Sequence, residues 1–241
     1  EIDQWIVSAL NTLVGEYTSA MDSYDVTKAA RAVSDFTINQ LSNWYVRRNR
    51  RRFWKNEEGS DKIAAYQTLY ECLVAITKMT APFAPFISEE IYRNLNIVTH
   101  QEASDSVHLA LMPRMDNSVV DGALEGRMDK AQRIVSLVRA LRNKSSIKVR
   151  QPLKRLIVPA STERERSEIS QMQDVILEEI NVKRLEFVTD ESGMVHKTAK
   201  PNFKALGPKY GKSVQAVASA IRTFGPNEIR HLEQQGSVVL T

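Results

Sequence analysis

The most unusual part of the chain is a run of twelve residues, 43–54, that mixes cationic and aromatic side chains. It contains five arginines and four aromatic residues and lies at the end of a helix predicted from about Val26 to Trp54. Guanidinium groups bind phosphates through paired hydrogen bonds, and unpaired bases stack on aromatic rings and guanidinium planes. This combination is typical of a surface that binds single-stranded RNA.

Helical spacing predicts which of these side chains face solvent. At about 100° per residue, Trp44, Tyr45 and Arg48 continue the apolar face of the predicted helix. A second set lies well away from that face, with Arg51 at its edge, and we call it the arginine ridge. We predict that the ridge contacts the bases of an RNA loop. Its members are Asn43, Arg47, Arg50, Arg51 and Trp54.

The same residues also allow a purely structural interpretation. Phe53 and Trp54 could pack beneath a neighbouring helix, and the arginines could pair with acids such as Glu57 and Glu58. For the side chains on the apolar face we expect packing. For the ridge, residue chemistry alone leaves both interpretations open.

Charge is segregated along the chain, although its net value of +4 is modest. Residues 130–162 contain nine basic side chains and no acid, whereas residues 163–191 contain nine acids. Such segregation suggests a polyanionic partner, and solvated faces are the alternative explanation. We predict phosphate contacts in the first of these segments, from Arg139, Arg142, Lys144, Lys148 and Arg150.

We find no set of residues able to support catalysis. Gly207–Ser213 resembles a phosphate loop but has three residues between its glycines where four are needed. The four histidines and Cys72 lack metal-ligand spacing. Glu89 and Glu90 are neighbours, so on a helix they point about 100° apart and do not form an acid–base pair. We therefore predict no catalytic residue, no metal site and no cofactor in this chain.

Apolar spacing predicts a mainly α protein. Helices over about 3–23, 26–54, 62–80, 87–95 and 124–144, with a brief extended piece at 106–109, describe a helix bundle. Strands at 153–158, 184–188 and 195–203 then alternate with helices at 165–180, 208–223 and 227–235, which indicates a small α+β domain. Since 241 residues are long for one core, we predict a bundle over 1–148 and an α+β domain over 149–241.

Two predicted helix faces are specific enough to be checked. In the helix at 62–80 the predicted buried residues are Tyr66, Leu69, Leu73 and Ile76. In the helix at 124–144 they are Met128, Ala131, Val135, Val138 and Leu141.

The ends of the chain and its cysteine content suggest its context. No stretch approaches the roughly 18 uncharged apolar residues of a membrane span, and the first residues lack the basic region of a signal peptide. Cys72 is the single cysteine, which fits a reducing cytoplasm. The first residue is Glu1, and residues 237–241 read as a strand cut short, so we expect a segment of a larger protein.

Leu41–Trp54 closely resembles the anticodon-binding domain of isoleucyl-tRNA synthetases, in the form shared by eukaryotes and some bacteria. Ala81–Tyr92 is shared with the valyl, leucyl and methionyl synthetases and identifies only the broader class I group. The arginine run and Ile147–Leu153 point more narrowly to the isoleucyl enzyme. Further matching segments follow in the same order, so the likeness covers nearly the whole chain: Ser106–Leu109, Glu178–Lys183 and Pro201–Gly211.

The resemblance implies that this is the C-terminal, tRNA-binding part of such a synthetase. Its expected partners are tRNA(Ile) and the N-terminal catalytic and editing domains, in a monomeric cytoplasmic protein. The family joins isoleucine to tRNA using ATP and Mg, with Zn as a further candidate, and it hydrolyses mischarged valine. Those reactions belong to the N-terminal domains, whose His-Ile-Gly-His and Lys-Met-Ser-Lys-Ser motifs are absent from this sequence.

Two alternatives remain at this stage. The chain could be the same module of a valyl-type synthetase, or a scaffold whose basic surface docks an acidic partner in a multi-synthetase assembly. By the resemblance, the arginine ridge is the first set of tRNA contacts to test.

Overall fold

The computed structural model describes residues 1–54, 59–160, 162–188, 198–225, 228–229, 231–232 and 236. Its regular structure is mainly helical, with one small two-stranded sheet in the described part of the chain, so the predicted fold class is confirmed. The chain divides into two compact units, Glu1–Ile134 and Val135–Thr241. The predicted domain limit at 148/149 stays a prediction.

The first unit is a helix bundle built around its N-terminal helix. Helix α1 (Ile2–Asp22) contacts both α2 (Val26–Asp35) and α4 (Ser60–Thr80), and α3 (Arg50–Trp54) lies between the last two in sequence. Its buried side chains recur every three or four residues, which is why it can pack on several neighbours. They include Trp5, Ile6, Leu10, Leu13, Val14 and Tyr17.

The helical path from α2 to α3 widens in its middle. Residues Phe36–Val46 form a π-helix, in which each turn holds more residues than an α-helical turn. The predicted helix over 26–54 is therefore continuous in outline but not uniform in geometry. Trp44 and Tyr45 are nevertheless buried, as the apolar spacing predicted, and Leu41 is buried with them.

The buried face of α4 differs from the predicted one. Tyr66 is 49% exposed, and the fully or largely buried side chains lie one residue earlier or later along the helix. Leu69, Leu73 and Ile76 are half-buried, so the prediction was wrong for Tyr66. It followed the largest apolar residues, whereas mainly small side chains line the close contacts of this helix. The buried set includes Ala65, Thr68, Cys72, Ala75 and Met79.

The segment after α5 (Pro85–Thr99) is held by a carboxylate of that helix. Glu89 accepts hydrogen bonds from the Ser106 hydroxyl and the Val107 amide, each 2.9 Å long. Val107–Leu109 is consequently a 3₁₀ turn, and the extended piece predicted at 106–109 was wrong.

Residues 110–121 return the chain to α1 before α6 (Gly122–Lys144) begins. The side chains of Asn11 and Ser8 accept hydrogen bonds from the Asp116 and Asp121 amides, at 2.9 and 2.7 Å. Glu125 in turn accepts hydrogen bonds from Ser8 and Thr12. These polar contacts fix the loop because each buried donor needs a partner.

The second unit contains a parallel β–helix–β arrangement. Strands β1 (Leu156–Pro159) and β2 (Leu185–Val188) pair in register from Leu156 opposite Leu185. Between them lie α7 (Glu163–Gln171) and α8 (Gln173–Ile180), where one helix had been predicted; the break is at Met172.

Helices α9 (Phe203–Tyr210) and α10 (Val214–Arg222) follow, joined by a 3₁₀ turn at Gly211–Ser213. The described part of the predicted third strand, residues 198–203, is not a strand, and the rest of that prediction lies outside the described residues. Most of the helix predicted at 227–235 also lies outside them. No helix in the described ranges is long and apolar enough to cross a membrane.

Candidate nucleic-acid interface

The arginine run presents different side chains to the interior and to solvent. All five residues of the arginine ridge are exposed, and the Trp54 side chain is 70% exposed. By contrast Trp44, Tyr45 and Phe53 are buried. The predicted placement of the ridge on the open side of the helix is confirmed, although its contact with RNA is not tested by the structure.

An ion pair fixes the inward side of the run. Both terminal nitrogens of Arg52 donate to the Asp3 carboxylate at 2.7 Å, and Arg52 also contacts Asp61 at 2.8 Å. The Tyr45 hydroxyl donates to the same Asp3 carboxylate at 2.6 Å. We call Asp3, Tyr45, Arg52 and Asp61 the Arg52 brace. The Arg52 brace joins the first turns of α1 and α4 to α3, the short helix that carries Arg50, Arg51 and Trp54.

The electrostatics of the brace follow from its partial burial. Burial alone would raise the pKa of Asp3, but the hydrogen bonds from Arg52 and Tyr45 outweigh it and lower that pKa below its usual 3.8. The pKa of Tyr45 is raised, first by burial and then by its bond to Asp3. At neutral pH, Asp3 is therefore deprotonated and charged, whereas Tyr45 keeps its proton and is neutral.

An aromatic pair anchors the end of α3. The Phe53 ring meets the Tyr66 ring edge to face, with 5.2 Å between centroids, and the Tyr66 hydroxyl donates to the Phe53 carbonyl at 3.3 Å. Phe53 thus packs as the structural alternative proposed, whereas Trp54, its neighbour in sequence, does not.

Side chains of the ridge are organised among themselves. The Arg50 guanidinium carbon lies 5.5 Å from the centre of the Trp54 ring, within range of a cation–π contact. Arg47 donates from Nε to the Asn43 carbonyl at 2.7 Å. Within the described residues, Arg50 and Arg51 have no acidic partner, while Glu57 and Glu58 lie outside those residues. The ridge can therefore offer an indole face and guanidinium planes to a flat, unpaired base.

The second predicted basic region divides into structural and exposed residues. Arg139 forms an ion pair with Glu179 at 2.5 Å. Arg142 is only 3% exposed, and its guanidinium donates to four backbone carbonyls, so it is not available to a phosphate and we remove it from the predicted contacts. Lys144, Lys148 and Arg150 are exposed, and their phosphate contacts stay predictions.

Among the described residues, no three His, Cys, Asp or Glu side chains converge on a point that could hold a metal ion. Burial raises the pKa of the Cys72 thiol to about 12, which leaves it a poor nucleophile. Residues 207–210, the first part of the loop that resembles a phosphate loop, are helical and end α9. A phosphate loop instead leads into its helix.

Two positioning residues were missed from the sequence. Arg52 follows Trp44 by eight residues and Arg48 by four, which places it on the inward face, so its spacing was a usable signal. Asn181, at the end of α8, donates to the carbonyls of Val149 and Arg150 at 3.1 and 3.0 Å. Its left-handed conformation, with φ of 52°, is one that asparagine tolerates, but nothing in the sequence indicated its partners.

Comparison with known proteins agrees with this geometry. Residues 3–157 match the model of the anticodon-binding domain of tRNA ligase. An isoleucine–tRNA ligase of Porphyromonas gingivalis is 48% identical over 98% of this chain and 20% of its own length. Those of Bacteroides thetaiotaomicron and Thermus thermophilus are 44% and 43% identical, over 100% and 92% of this chain and 21% of each relative. The chain spans about a fifth of the curated relatives it matches.

Replacing Asp3 with asparagine should destabilise the first unit by about 1–3 kcal/mol, because a partly buried arginine loses its charged acceptor. Urea unfolding at pH 7 measures this change. Asp129→Asn is the matched control, since the Asp129–Arg133 pair is largely exposed, and it should leave the unfolding midpoint nearly unchanged. Equal effects of the two substitutions would contradict the structural role of the brace.

The contribution of Asp3 should depend on pH in a defined direction. Its pKa is lower in the folded chain than the usual 3.8, so folding is stabilised fully above that value and progressively less as pH falls through the folded pKa. The stability difference between the wild type and Asp3→Asn should therefore shrink below about pH 4. Urea midpoints of both proteins between pH 7 and pH 2.5 measure it. A difference that stays constant would show that the brace does not depend on the Asp3 charge.

Proposed function

Since the chain belongs to the anticodon-binding domain family of tRNA ligases, we propose that it binds the anticodon stem and loop of tRNA(Ile). In this proposal the arginine ridge contacts the unpaired bases of the loop. We further propose that the whole protein is a cytoplasmic isoleucine–tRNA ligase. Its ATP-dependent chemistry would reside in N-terminal domains outside these residues. The identity of the relatives supports the choice of isoleucine.

One observation carries the proposal: a helix that is buried on one side presents guanidinium groups and an indole to solvent on the other. Trp54 at 70% exposure is a large apolar surface that folding leaves uncovered. Such exposure is usual where a stacking partner binds, because the ring then gains the burial that the free chain lacks. The Arg50 guanidinium over that ring adds a second planar group and a positive charge.

The geometry also suggests how recognition and rigidity are combined. The Arg52 brace and the Phe53–Tyr66 pair hold the inward side of α3, so few internal motions remain to be frozen when RNA binds. Preorganisation of this kind raises affinity because less conformational entropy is lost on binding. The ridge side chains themselves stay accessible to loop bases.

Reversing one charge of the ridge tests the proposal. Arg50→Glu should weaken binding of the tRNA(Ile) anticodon stem-loop at least about tenfold, because it replaces an attraction to phosphate with a repulsion. Fluorescence anisotropy measures the affinity, and the melting temperature should barely change. Lys28→Glu, an exposed charge reversal roughly 30 Å away along the same helical path, serves as control. Unchanged affinity in Arg50→Glu would make the ridge structural.

The same titration compares partners. The wild-type chain should prefer the tRNA(Ile) stem-loop over one with a valine anticodon and over an acidic polypeptide. Equal binding of the two stem-loops would remove isoleucine specificity from the proposal. Preference for the polypeptide would favour a scaffold that docks an acidic protein.

Trp54 provides an independent test of stacking. Trp54→Ala should lose about 1–3 kcal/mol of binding, roughly fivefold to over a hundredfold in affinity, whereas Trp54→Phe should keep much of it. The variants change neither the charge nor the buried core, so the salt dependence of binding should stay the same. If alanine and phenylalanine behave alike, the indole does not stack on a base.

A further inference from the structure

We propose that the loop Lys148–Gln151 is a preformed site for an RNA backbone phosphate, and that the buried Arg142 and the half-buried Asn181 position it. This inference rests on the proposed function, because the ligand is taken to be part of a bound RNA. It assigns to this loop a sequence-independent contact that differs in kind from base recognition by the ridge.

The carbonyl groups of the loop are all held from within the second unit. Arg142 donates to the carbonyls of Lys148 and Gln151, each at 3.0 Å. Asn181 donates to the two carbonyls between them, those of Val149 and Arg150. Four consecutive carbonyls therefore have internal donors, and their partial negative charges are directed toward the protein.

The same two residues connect the loop to the end of α8. Arg142 also donates to the carbonyls of Ile180 and Asn181, at 2.8 and 3.2 Å. One guanidinium thus joins two separate segments through four acceptors, which a lysine ammonium cannot reproduce because its donors radiate from one point. The loop is consequently shaped before any ligand arrives.

The outer side of the loop is complementary to an anion. Lys148, Val149 and Arg150 are exposed, and within the described part of the chain their amide N–H groups have no acceptor. Successive free amides beside cationic side chains are a common arrangement for binding phosphate. An oxyanion here would meet backbone donors together with the charges of Lys148 and Arg150.

The charge behind the loop reinforces this preference. Arg142 is buried against carbonyl dipoles and has no carboxylate partner among the described residues, so its positive charge is not cancelled by a neighbouring acid. Glu178 and Glu179, the acids at the adjacent end of α8, both have partners of their own. Three positive charges therefore act on the space outside the loop.

The first experiment removes the two exposed cations of the loop. A plot of log affinity for tRNA(Ile) against log salt concentration has a negative slope. In the 241-residue chain, Lys148→Ala and Arg150→Ala should each reduce the magnitude of that slope by roughly 0.7–0.9. The loss should be equal for a stem-loop with a changed anticodon, because a phosphate contact carries no sequence information. Lys28→Gln should leave the slope unchanged. An unchanged slope in both loop variants would overturn the phosphate site.

The second experiment tests positioning without disturbing the fold. Asn181→Gly suits the left-handed backbone at that position but removes the amide that holds Val149 and Arg150. The loss of RNA affinity caused by Lys148→Ala should then be at least about twofold smaller in the Asn181→Gly protein than in the wild type, because the two residues act together. Additive effects would overturn the positioning role, and thermal melting checks that folding is intact.

The outcomes separate this inference from the proposed function. If the wild type binds no RNA, both the proposed function and the phosphate site are overturned. If Arg50→Glu weakens RNA binding but the loop variants leave the salt dependence of binding unchanged, only the phosphate site is overturned. Arg142→Lys is a further test variant. It keeps the positive charge but cannot donate to all four carbonyls, so it should weaken RNA binding several-fold. Retained affinity in a folded Arg142→Lys protein would contradict positioning by Arg142.

Discussion

Arg52 donates two hydrogen bonds of 2.7 Å to Asp3 and so joins the end of the arginine run to the first turn of α1. Side chains two positions apart on a helix point about 200° apart. Once Arg52 is fixed inward, Arg50 is necessarily turned outward. The outward orientation of Arg50 therefore depends on this ion pair, and the buried Phe53 ring helps to maintain it.

Arginine residues have two different roles in this chain: some hold the fold together and others face solvent. The acceptors available to each guanidinium decide which role it has. Arg52 meets carboxylates, and the two terminal nitrogens of Arg142 donate to four carbonyls, so most donors of each guanidinium have an acceptor. A buried cation without such partners would be strongly destabilising. Arg50 and Arg51 have no acidic partner in the described part of the structure, and they remain exposed. Counting basic residues along the sequence cannot separate these cases.

Much of the fold could be predicted from apolar spacing, and the failures have physical causes. The helices of the first unit and the exposed ridge followed from a period of 3.6 residues. The buried face of α4 did not, because Ala65 and Cys72 are small and carry little hydrophobic signal. On α6 the predicted buried face ended at Leu141, which is 62% exposed, while Arg142 occupies the next inward position. A spacing of four from Val138 indicated that position, but its charge argued against it.

The loop at 148–151 marks a second limit of sequence reasoning. Its shape depends on contacts between residues far apart in sequence, such as Asn181 with Val149, and no local pattern encodes those contacts. The loop also bears directly on the proposed function, because base contacts specify a nucleic acid while phosphate contacts position it. A preformed phosphate site at this loop would therefore add affinity without adding sequence preference of its own.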